Sequence, residues 1–352
     1  MKYFEMRKLA TALVIAGLIG TTSQAMASAF QIWEQDVVGL GNFHSGYAAE
    51  ANTATIAWTN PAGMIRIQNQ QLVLGTAIVA PHFKYRGSVG VTETLGTEEP
   101  FVIVTQANYP DVRIKAGDWN YVPNLQYVAP VNDWISFGFS AVVPFGLETD
   151  YGTSTNMKYA ATKTSIKVID FSPSFAFKLT DKASFGLGFD LQKAEAEFNS
   201  VVGTVQLGED EVDPLSISDI KNKVRSTGYG YHLGALYEFT PCTRVGISYH
   251  SAVRHHFRGT SRLIGPIAEV LTSQTSDELV SRNGRANITL PAYTALSVFH
   301  QINSSWAIMG NVIYTQWHVI DKISFKNAAG AISAPFPEFL APSTTNAAMI
   351  PI

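Results

Sequence analysis

The stretch "GYGYHLGALYEF" (Gly228–Phe239) and, after Thr240-Pro241-Cys242, "TRVGISYHSAVRHHFR" (Thr243–Arg258) alternate with a period of two. In the first, Tyr229, Tyr231, Leu233, Ala235, Tyr237 and Phe239 oppose Gly228, Gly230, His232, Gly234 and Glu238. In the second, Val245, Ile247, Tyr249, Val253 and Phe257 are set against Arg244, Ser248, His250, Arg254 and His256. That period belongs to a β-strand with two unlike faces. Ala183–Phe198 repeats it, with Phe185, Leu187, Phe189 and Leu191 against Gly186, Gly188, Asp190 and Gln192; Asn287–Phe299 puts Ile288, Leu290, Ala292, Leu296 and Val298 on one side. These runs exceed the five or six residues usual in soluble strands, as tilted membrane-spanning strands must.

The rest of the composition agrees. Charged residues make up 15% and aromatics 11%, against roughly 25% charged in ordinary soluble domains. Lys2, Arg7 and Lys8 precede an apolar Leu9–Ile19 and the small-residue site Ala25-Met26-Ala27, so residues 1–27 read as a cleaved signal peptide. Its removal takes three bases and one acid and moves the formal charge from −3 to −5. No basic block is present, which argues against nucleic acid as a partner. The single Cys242 excludes an internal disulfide. No later apolar run reaches the ~18 residues of a spanning helix. An exported chain with long alternating strands implies an all-β transmembrane fold, an antiparallel outer-membrane β-barrel.

Connections alternate in length. Pro130–Asp133, Leu179–Lys182, Thr240–Thr243 and Gln301–Ser305 are short; Glu148–Met157, Asn199–Thr227 and Gly259–Arg285 are long and polar. Short turns belong on the periplasmic side and long loops outside. The pattern predicts nine strands, roughly 71–86, 121–130, 134–146, 158–178, 183–198, 228–239, 243–258, 286–300 and 305–325. Residues 28–70 carry no alternation yet are too apolar for a disordered tail, so they are expected to fold inside the lumen as a plug. In the third strand, Pro144-Phe145-Gly146 interrupts the ladder, since proline has no N–H and glycine marks a bulge.

Specific residues then carry a resemblance. "SAFQIWEQDVVGLGNFHSGYAAEANTATIAWTNPAGM" (Ser28–Met64), with Ala29-Phe30-Gln31, Gly39-Leu40-Gly41, Ser45-Gly46, Ala48 and Asn60-Pro61-Ala62, resembles the mature start of FadL-type long-chain fatty acid transporters, the OmpP1/FadL/TodX family. "VPNLQYVAPVND" (Val122–Asp133), "FGLETDY" (Phe145–Tyr151), "SFGLGF" (Ser184–Phe189), "GALYEF" (Gly234–Phe239), "NITLPAYTALSVFHQINSSWAI" (Asn287–Ile308) and "YTQW" (Tyr314–Trp317) follow in the same order. The likeness implies a fourteen-stranded barrel, of which about nine strands are present, plugged by an N-terminal helical hatch that holds Phe30, Asn60, Pro61 and Ala62. It implies no enzymatic activity and no cofactor. It implies passive, ligand-gated diffusion of long-chain fatty acids or similar hydrophobic molecules, with sideways exit where the third strand kinks, at Pro144, Phe145 and Gly146. Membrane lipid, lipopolysaccharide and the barrel-assembly machinery are the implied partners of a monomer. Monoaromatic hydrocarbons are an alternative cargo. After Lys326, "NAAGAISAPFPEFLAPSTTNAAMIPI" lacks alternation, so residues 327–352 read as a divergent or truncated tail to barrel strands over 71–326. A non-transporting surface or adhesion protein is the corresponding alternative, and poor insertion the expected consequence, because open sheet edges are not tolerated in lipid.

Candidate sites follow. Leu263, Ile264, Ile267, Val270 and Leu271 recur at helical spacing behind Pro266 in the loop Gly259–Arg285 and are expected to form a docking groove. Val201, Val202, Val205, Leu207, Leu215 and Ile217 would supply the opposite wall. A fatty-acid carboxylate would need a cation, but Lys193, Arg244, Arg254 and Arg258 are each read as outward or at the rim. Simple alternation places His250 and His256 on one face and His255 on the other, so no metal site is expected. Ser248 and His250 have no accompanying carboxylate, so no catalytic residues are expected either.

Overall fold

Each alternating segment pairs with its neighbour in chain order, because an antiparallel partner joined by a short turn satisfies both backbones at once. The computed structural model describes residues 30–95, 103–320 other than 118, 155, 160, 205–216 and 274, and 325–329. The signal peptide expected over 1–27 and most of the 327–352 tail lie outside these residues. The strands are β1 Gln71–Val79, β2 Phe83–Leu95, β3 Ile103–Ala116, β4 Asn120–Asn132, β5 Ile135–Asp150, β6 Lys163–Lys178, β7 Ala183–Thr204 and β8 Ile217–Thr240. They continue as β9 Thr243–His250, β10 Val253–Ile264, β11 Glu278–Leu290, β12 Tyr293–Gln301, β13 Ala307–Thr315 and β14 Phe325–Lys326. Twelve form one antiparallel sheet and β2–β3 a separate hairpin. In the large sheet β1, β4, β5, β6, β7 and β8 are neighbours in turn; β8 then pairs with β9 along its inner half and β10 along its outer half.

Among the described residues, therefore, fourteen strands replace the nine expected, yet they group into nine passes, five of them broken in two. The breaks separate β1 from β2, β3 from β4, β9 from β10, β11 from β12 and β13 from β14. Pro81 and Pro291 sit in two of them, where a ladder donor is missing. The break at Ser251-Ala252 shifts the period. His250, Val253, His255 and Phe257 are all buried, while Arg254 and His256 are exposed. The expected pairing of His250 with His256 on one face is thus corrected to His250 with His255.

Two long loops are also shorter than expected. β7 runs on to Thr204 and β8 begins at Ile217, leaving 205–216, with Val205, Leu207 and Leu215, outside the described residues. β10 reaches Ile264 and β11 begins at Glu278. Beyond the bilayer the outward face turns polar (Lys221, Lys223 and Arg225 in β8), so apolar alternation stops while the ladder and the buried face continue. β2 carries the first expected strand on from 86 to Leu95, and β3 fills part of the stretch before the second; the sequence alternation of Phe83, Tyr85, Val89 and Val91 there went unread past 86.

Inside the sheet sits the hatch. Asp36 caps α1 (Val37–Gly41) by accepting from the Gly39 N–H, and α2 (Ile56–Thr59) leads into a tight turn at Pro61–Arg66 capped by Asn60. Ala49, Ala54, Ile56, Ala57, Ala62 and Met64 pack on Val128, Ala176, Leu236 and Phe299 of the wall. The opposite face of the wall is apolar and exposed: Phe189, Tyr229, Tyr231, Leu233, Tyr237, Phe239 and Ile247. Only lipid solvates such a face, and Tyr229/Tyr231 and Tyr237/Phe239 bracket it as two interfacial girdles.

Leu233 lies midway between the girdles. Leu233→Arg is expected to destabilise the inserted protein by about 2–4 kcal/mol and Thr227→Arg, above the outer girdle, by about 0–1 kcal/mol. Urea titration in phospholipid vesicles, followed by tryptophan fluorescence, measures both; equal effects would show that this face does not meet lipid.

Candidate functional site

β5 pairs with β4 only as far as Ala141, opposite Leu125. Its pairing with β6 continues, shifted in register between Val142 and Phe145. Past Ala141 one edge of β5 has therefore lost its neighbour. The hatch fills that edge. The Pro144 carbonyl accepts from Ile32 N–H and Gly146 N–H donates to the Phe30 carbonyl, both at 2.9 Å, with Gln31 facing Phe145 across the ladder. Phe30, Phe145 and Trp317 meet edge to face, with centroids 5.7–6.4 Å apart, and Phe30 and Phe145 are buried. At Gly146 a Cβ would come 2.5 Å from Ile32 Cδ1, so a larger residue there would push the Ile32 side chain aside. Of the expected gap residues, Pro144, Phe145 and Gly146 all touch this strap, and Phe30 joins them from the hatch. Gln31, Ile32 and Trp317 were missed; no local pattern marks a contact between segments so far apart in sequence.

Asn60, Pro61 and Ala62 occupy a second seat, on the inner faces of β7, β8 and β9. Asn60 Oδ1 accepts from Ala62 N–H (3.1 Å), and its Nδ2 donates to the carbonyls of Ala48 (2.6 Å) and Ala235 (3.2 Å). The wall is bare of side chains here. A Cβ at Gly234 would lie 1.9 Å from Asn60 Oδ1, at Gly186 2.4 Å from the Pro61 carbonyl carbon, and at Gly246 1.8 Å from the Ala48 carbonyl oxygen. The glycines that alternate with aromatics in the sequence are the landing surface for the hatch.

Arg244 corrects an expectation. It is buried and points inward, where it donates to the carbonyls of Ala49 and Glu50 and to Asn52 Oδ1 and lies 3.7 Å over the Phe299 ring. Lys193, Arg254 and Arg258 are exposed, as expected. Arg244 is the one buried lysine or arginine among the described residues, and it clamps the hatch.

Above this level the lumen is lined by hydrogen-bonded polar groups. Gln192 Nε2 donates to Asp170 (2.7 Å), Ser172 donates to Asp170 (2.5 Å), and His255 Nε2 lies 3.0 Å from Gln192 Oε1. His250 packs between Trp58 (4.5 Å) and Tyr293 (4.4 Å). Tyr47 and Tyr293 share an O–H···O bond, and burial holds the Tyr47 phenol well above the usual tyrosine range, so it bonds as a neutral group. Asp190, His232 and His250 have a metal-ligand composition and lie within 4.8 Å of one another. Two of their atoms are engaged already: His232 Nδ1 with Asp190 (2.6 Å) and His250 Nε2 with the Trp58 carbonyl (3.1 Å).

At the outer end, Leu263 and Ile267 are buried with Ile220, Ala268 and Ala329, and Ile264 is half-buried. Val270 and Leu271 close the helix α3 (Pro266–Leu271); their side chains lie outside the described residues. The expected docking residues thus come together in part, as a small core beneath α3.

A family model described as "Outer membrane protein transport protein (OMPP1/FadL/TodX)" matches residues 18–338. Outer membrane protein P1 of Haemophilus influenzae is 30% identical over 346 residues, covering 92% of this chain and 72% of that protein. The long-chain fatty acid transport protein of Salmonella typhi is 27% identical, covering 91% and 73%. Among solved structures, a Pseudomonas aeruginosa FadL homologue superimposes with a TM-score of 0.70 at 20% identity, covering 85% of this chain and 72% of that one. The toluene transporter TbuX of Ralstonia pickettii gives 0.56 at 18%, covering 82% and 75%.

The glycine seat yields a test, because Arg66 is the only trypsin site in residues 30–70. Gly234→Val should lift Asn60 from the wall and speed cleavage after Arg66 about tenfold, the equivalent of about 1.4 kcal/mol. Gly310→Ala, where an added Cβ meets nothing within 4 Å, should leave the rate unchanged. Cleavage as slow in the Gly234 variant as in the parent would refute the seat.

Proposed function

The chain belongs to the OMPP1/FadL/TodX family of outer-membrane transport proteins, and on that premise we propose that it passes long-chain fatty acids or similar hydrophobic molecules across the outer membrane of a Gram-negative cell by passive, ligand-gated diffusion. The cargo docks at the outer end beside Leu263, Ile264, Ile267, Val270 and Leu271, moves down to the hatch, and leaves sideways through the wall at Pro144-Phe145-Gly146. The chain works as a monomer placed by the barrel-assembly machinery, and no bond is made or broken in the cargo. One observation carries this reading: among the described residues, the main-chain partner of β5 past Ala141, on its β4 side, is a three-residue strap from the hatch. Two main-chain hydrogen bonds and a cluster of aromatic edges close that place. In hydrocarbon each backbone group left open costs several kcal/mol, so the place stays closed until a bound ligand displaces the strap and covers the groups it frees.

A second cargo class has its own support. An unpaired carboxylate in the lumen is costly, and Arg244, the one buried lysine or arginine among the described residues, is already engaged with hatch carbonyls. A neutral monoaromatic hydrocarbon needs no cation. Proteins of the same fold include a toluene transporter and a monoaromatic hydrocarbon channel.

Gln31 and Phe145 are a non-hydrogen-bonded antiparallel pair, so their Cα atoms stand about 4.5 Å apart, within disulfide range. In a Cys242→Ser background, Gln31→Cys with Phe145→Cys should form a disulfide that locks the strap. Uptake of labelled oleate or toluene, in a host without its own transporter, should fall about tenfold and return on reduction. The cargo that responds identifies the class; uptake indifferent to the lock rejects exit at this point.

A further inference from the structure

The outward faces of four adjacent strands carry a row of like charges. Arg225 of β8 lies directly opposite Arg258 of β10, Arg258 opposite Arg285 of β11, and Arg285 opposite Lys326 of β14. All four side chains are exposed. Neighbouring strands stand about 4.8 Å apart, so the row places four cations along about 14 Å. Like charges directly opposite on paired strands destabilise a sheet. The only carboxylate in the row is Glu195 of β7, at its end. Glu195 holds Arg225 (2.9 Å) and Lys223 (2.8 Å). Among the described residues Arg254, Arg258 and Arg285 have no ion pair. Arg254, on the same outward face as Arg258, and Lys221, Lys223 and Arg262 surround the row.

Position gives the row its meaning. On β8 the outward residues read, from the outer end inward, Lys221, Lys223, Arg225, Thr227, Tyr229, Tyr231, Leu233. On β8 the bases begin two outward positions above the tyrosine girdle, with Thr227 between, at the end of the sheet that carries the long connections. That is the depth of the phosphate layer of the outer leaflet. The face is not a surface for a soluble protein, since its lower border is immersed in lipid. We propose that Arg225, Arg254, Arg258, Arg285 and Lys326 form a binding site for the phosphates of a lipid A headgroup. Guanidinium groups suit this role because each presents two parallel N–H donors to one phosphate. Lipid A bears two phosphates on one disaccharide, so a single headgroup meets the row twice and neutralises the repulsion that the ladder imposes. The site depends on the outer-membrane location and not on transport, so a failure of the uptake experiments leaves it untouched.

The test uses the full chain extracted from outer membranes in mild detergent, with co-purifying lipid A quantified by mass spectrometry. Binding is then measured to vesicles of phosphatidylcholine carrying lipid A, dephosphorylated lipid A or phosphatidylethanolamine. The parent should retain lipid A and prefer the phosphorylated form at least fivefold. Arg258→Ser with Arg285→Ser should retain at most one fifth as much, while Arg258→Lys with Arg285→Lys should keep at least half. Heat-modifiable migration and the trypsin rate at Arg66 report whether each variant is folded. Equal retention by the folded serine variant, or equal binding of dephosphorylated lipid A by the parent, overturns the proposal. The second comparison needs no variant and decides the matter even where the serine protein does not fold.

Discussion

In hydrocarbon, an unpaired backbone N–H or C=O costs several kcal/mol, so every strand of a membrane wall needs a partner on both edges. β5 breaks that requirement at Pro144, where the ring removes a donor and the pairing with β4 has already ended at Ala141. The hatch restores it locally. Ile32 donates to the Pro144 carbonyl and Phe30 accepts from Gly146, so a segment near the start of the described chain becomes a short stretch of wall. The defect is tolerated because the plug covers it, and the plug is held at this end by the defect. A wall without the break would give the strap nothing to pair with.

The same reciprocity explains the inner face. In a soluble sheet, glycines at every second position would weaken strands for no return. Here Gly186, Gly234 and Gly246 let main chain meet main chain, and Asn60 links the Ala48 and Ala235 carbonyls where they approach. Arg244 secures the other side of the hatch by donating to Ala49 and Glu50. Wall and hatch thus share one core, built of alanine, methionine and glycine at the bottom and of bonded polar groups above. The seat around Asn60 is closed by several contacts at once, whereas the edge at Phe30–Ile32 is held by two main-chain hydrogen bonds and an aromatic cluster.

Much of this was legible and some was not, for definable reasons. The period of two revealed the wall wherever lipid lies on one side, since there the outward residues are apolar; it fell silent beyond the girdles, where Lys221, Lys223 and Arg225 replace Tyr229 and Tyr231 on the same face. The extra lengths of β7, β8, β10 and β11 were consequently read as loop. Breaks escaped because a one-residue slip of the alternation at Ser251-Ala252 leaves composition unchanged while turning His255 inward. Pro144-Phe145-Gly146 was readable as an interruption from residue chemistry alone. Its filling by Phe30–Ile32 was not, because nothing local in either segment encodes a contact across more than a hundred residues. Arg244 looked like a rim cation for the same reason, its partners being hatch carbonyls rather than a neighbouring acid.

What passes through such a lumen is decided by what the lumen can leave unpaired. Asp170, Gln192 and His255 are bonded to one another, Asp190 to His232, and His250 to the Trp58 carbonyl. A charged headgroup entering this region must find a donor not already engaged or take one from an existing bond, at a cost of about 1–3 kcal/mol for each polar group orphaned. A neutral aromatic takes none and leaves the buried cluster of Trp58, His250 and Tyr293 intact. An acyl chain is as welcome as toluene to the apolar part of the path, so the discrimination lies in the carboxylate alone. The residue that would relieve it, Arg244, is the one that holds the hatch shut, and a carboxylate strong enough to draw Arg244 from Ala49 and Glu50 would loosen the plug as it bound. Arg244 can therefore serve a carboxylate only by giving up carbonyls of the hatch, whereas a hydrocarbon makes no demand on it.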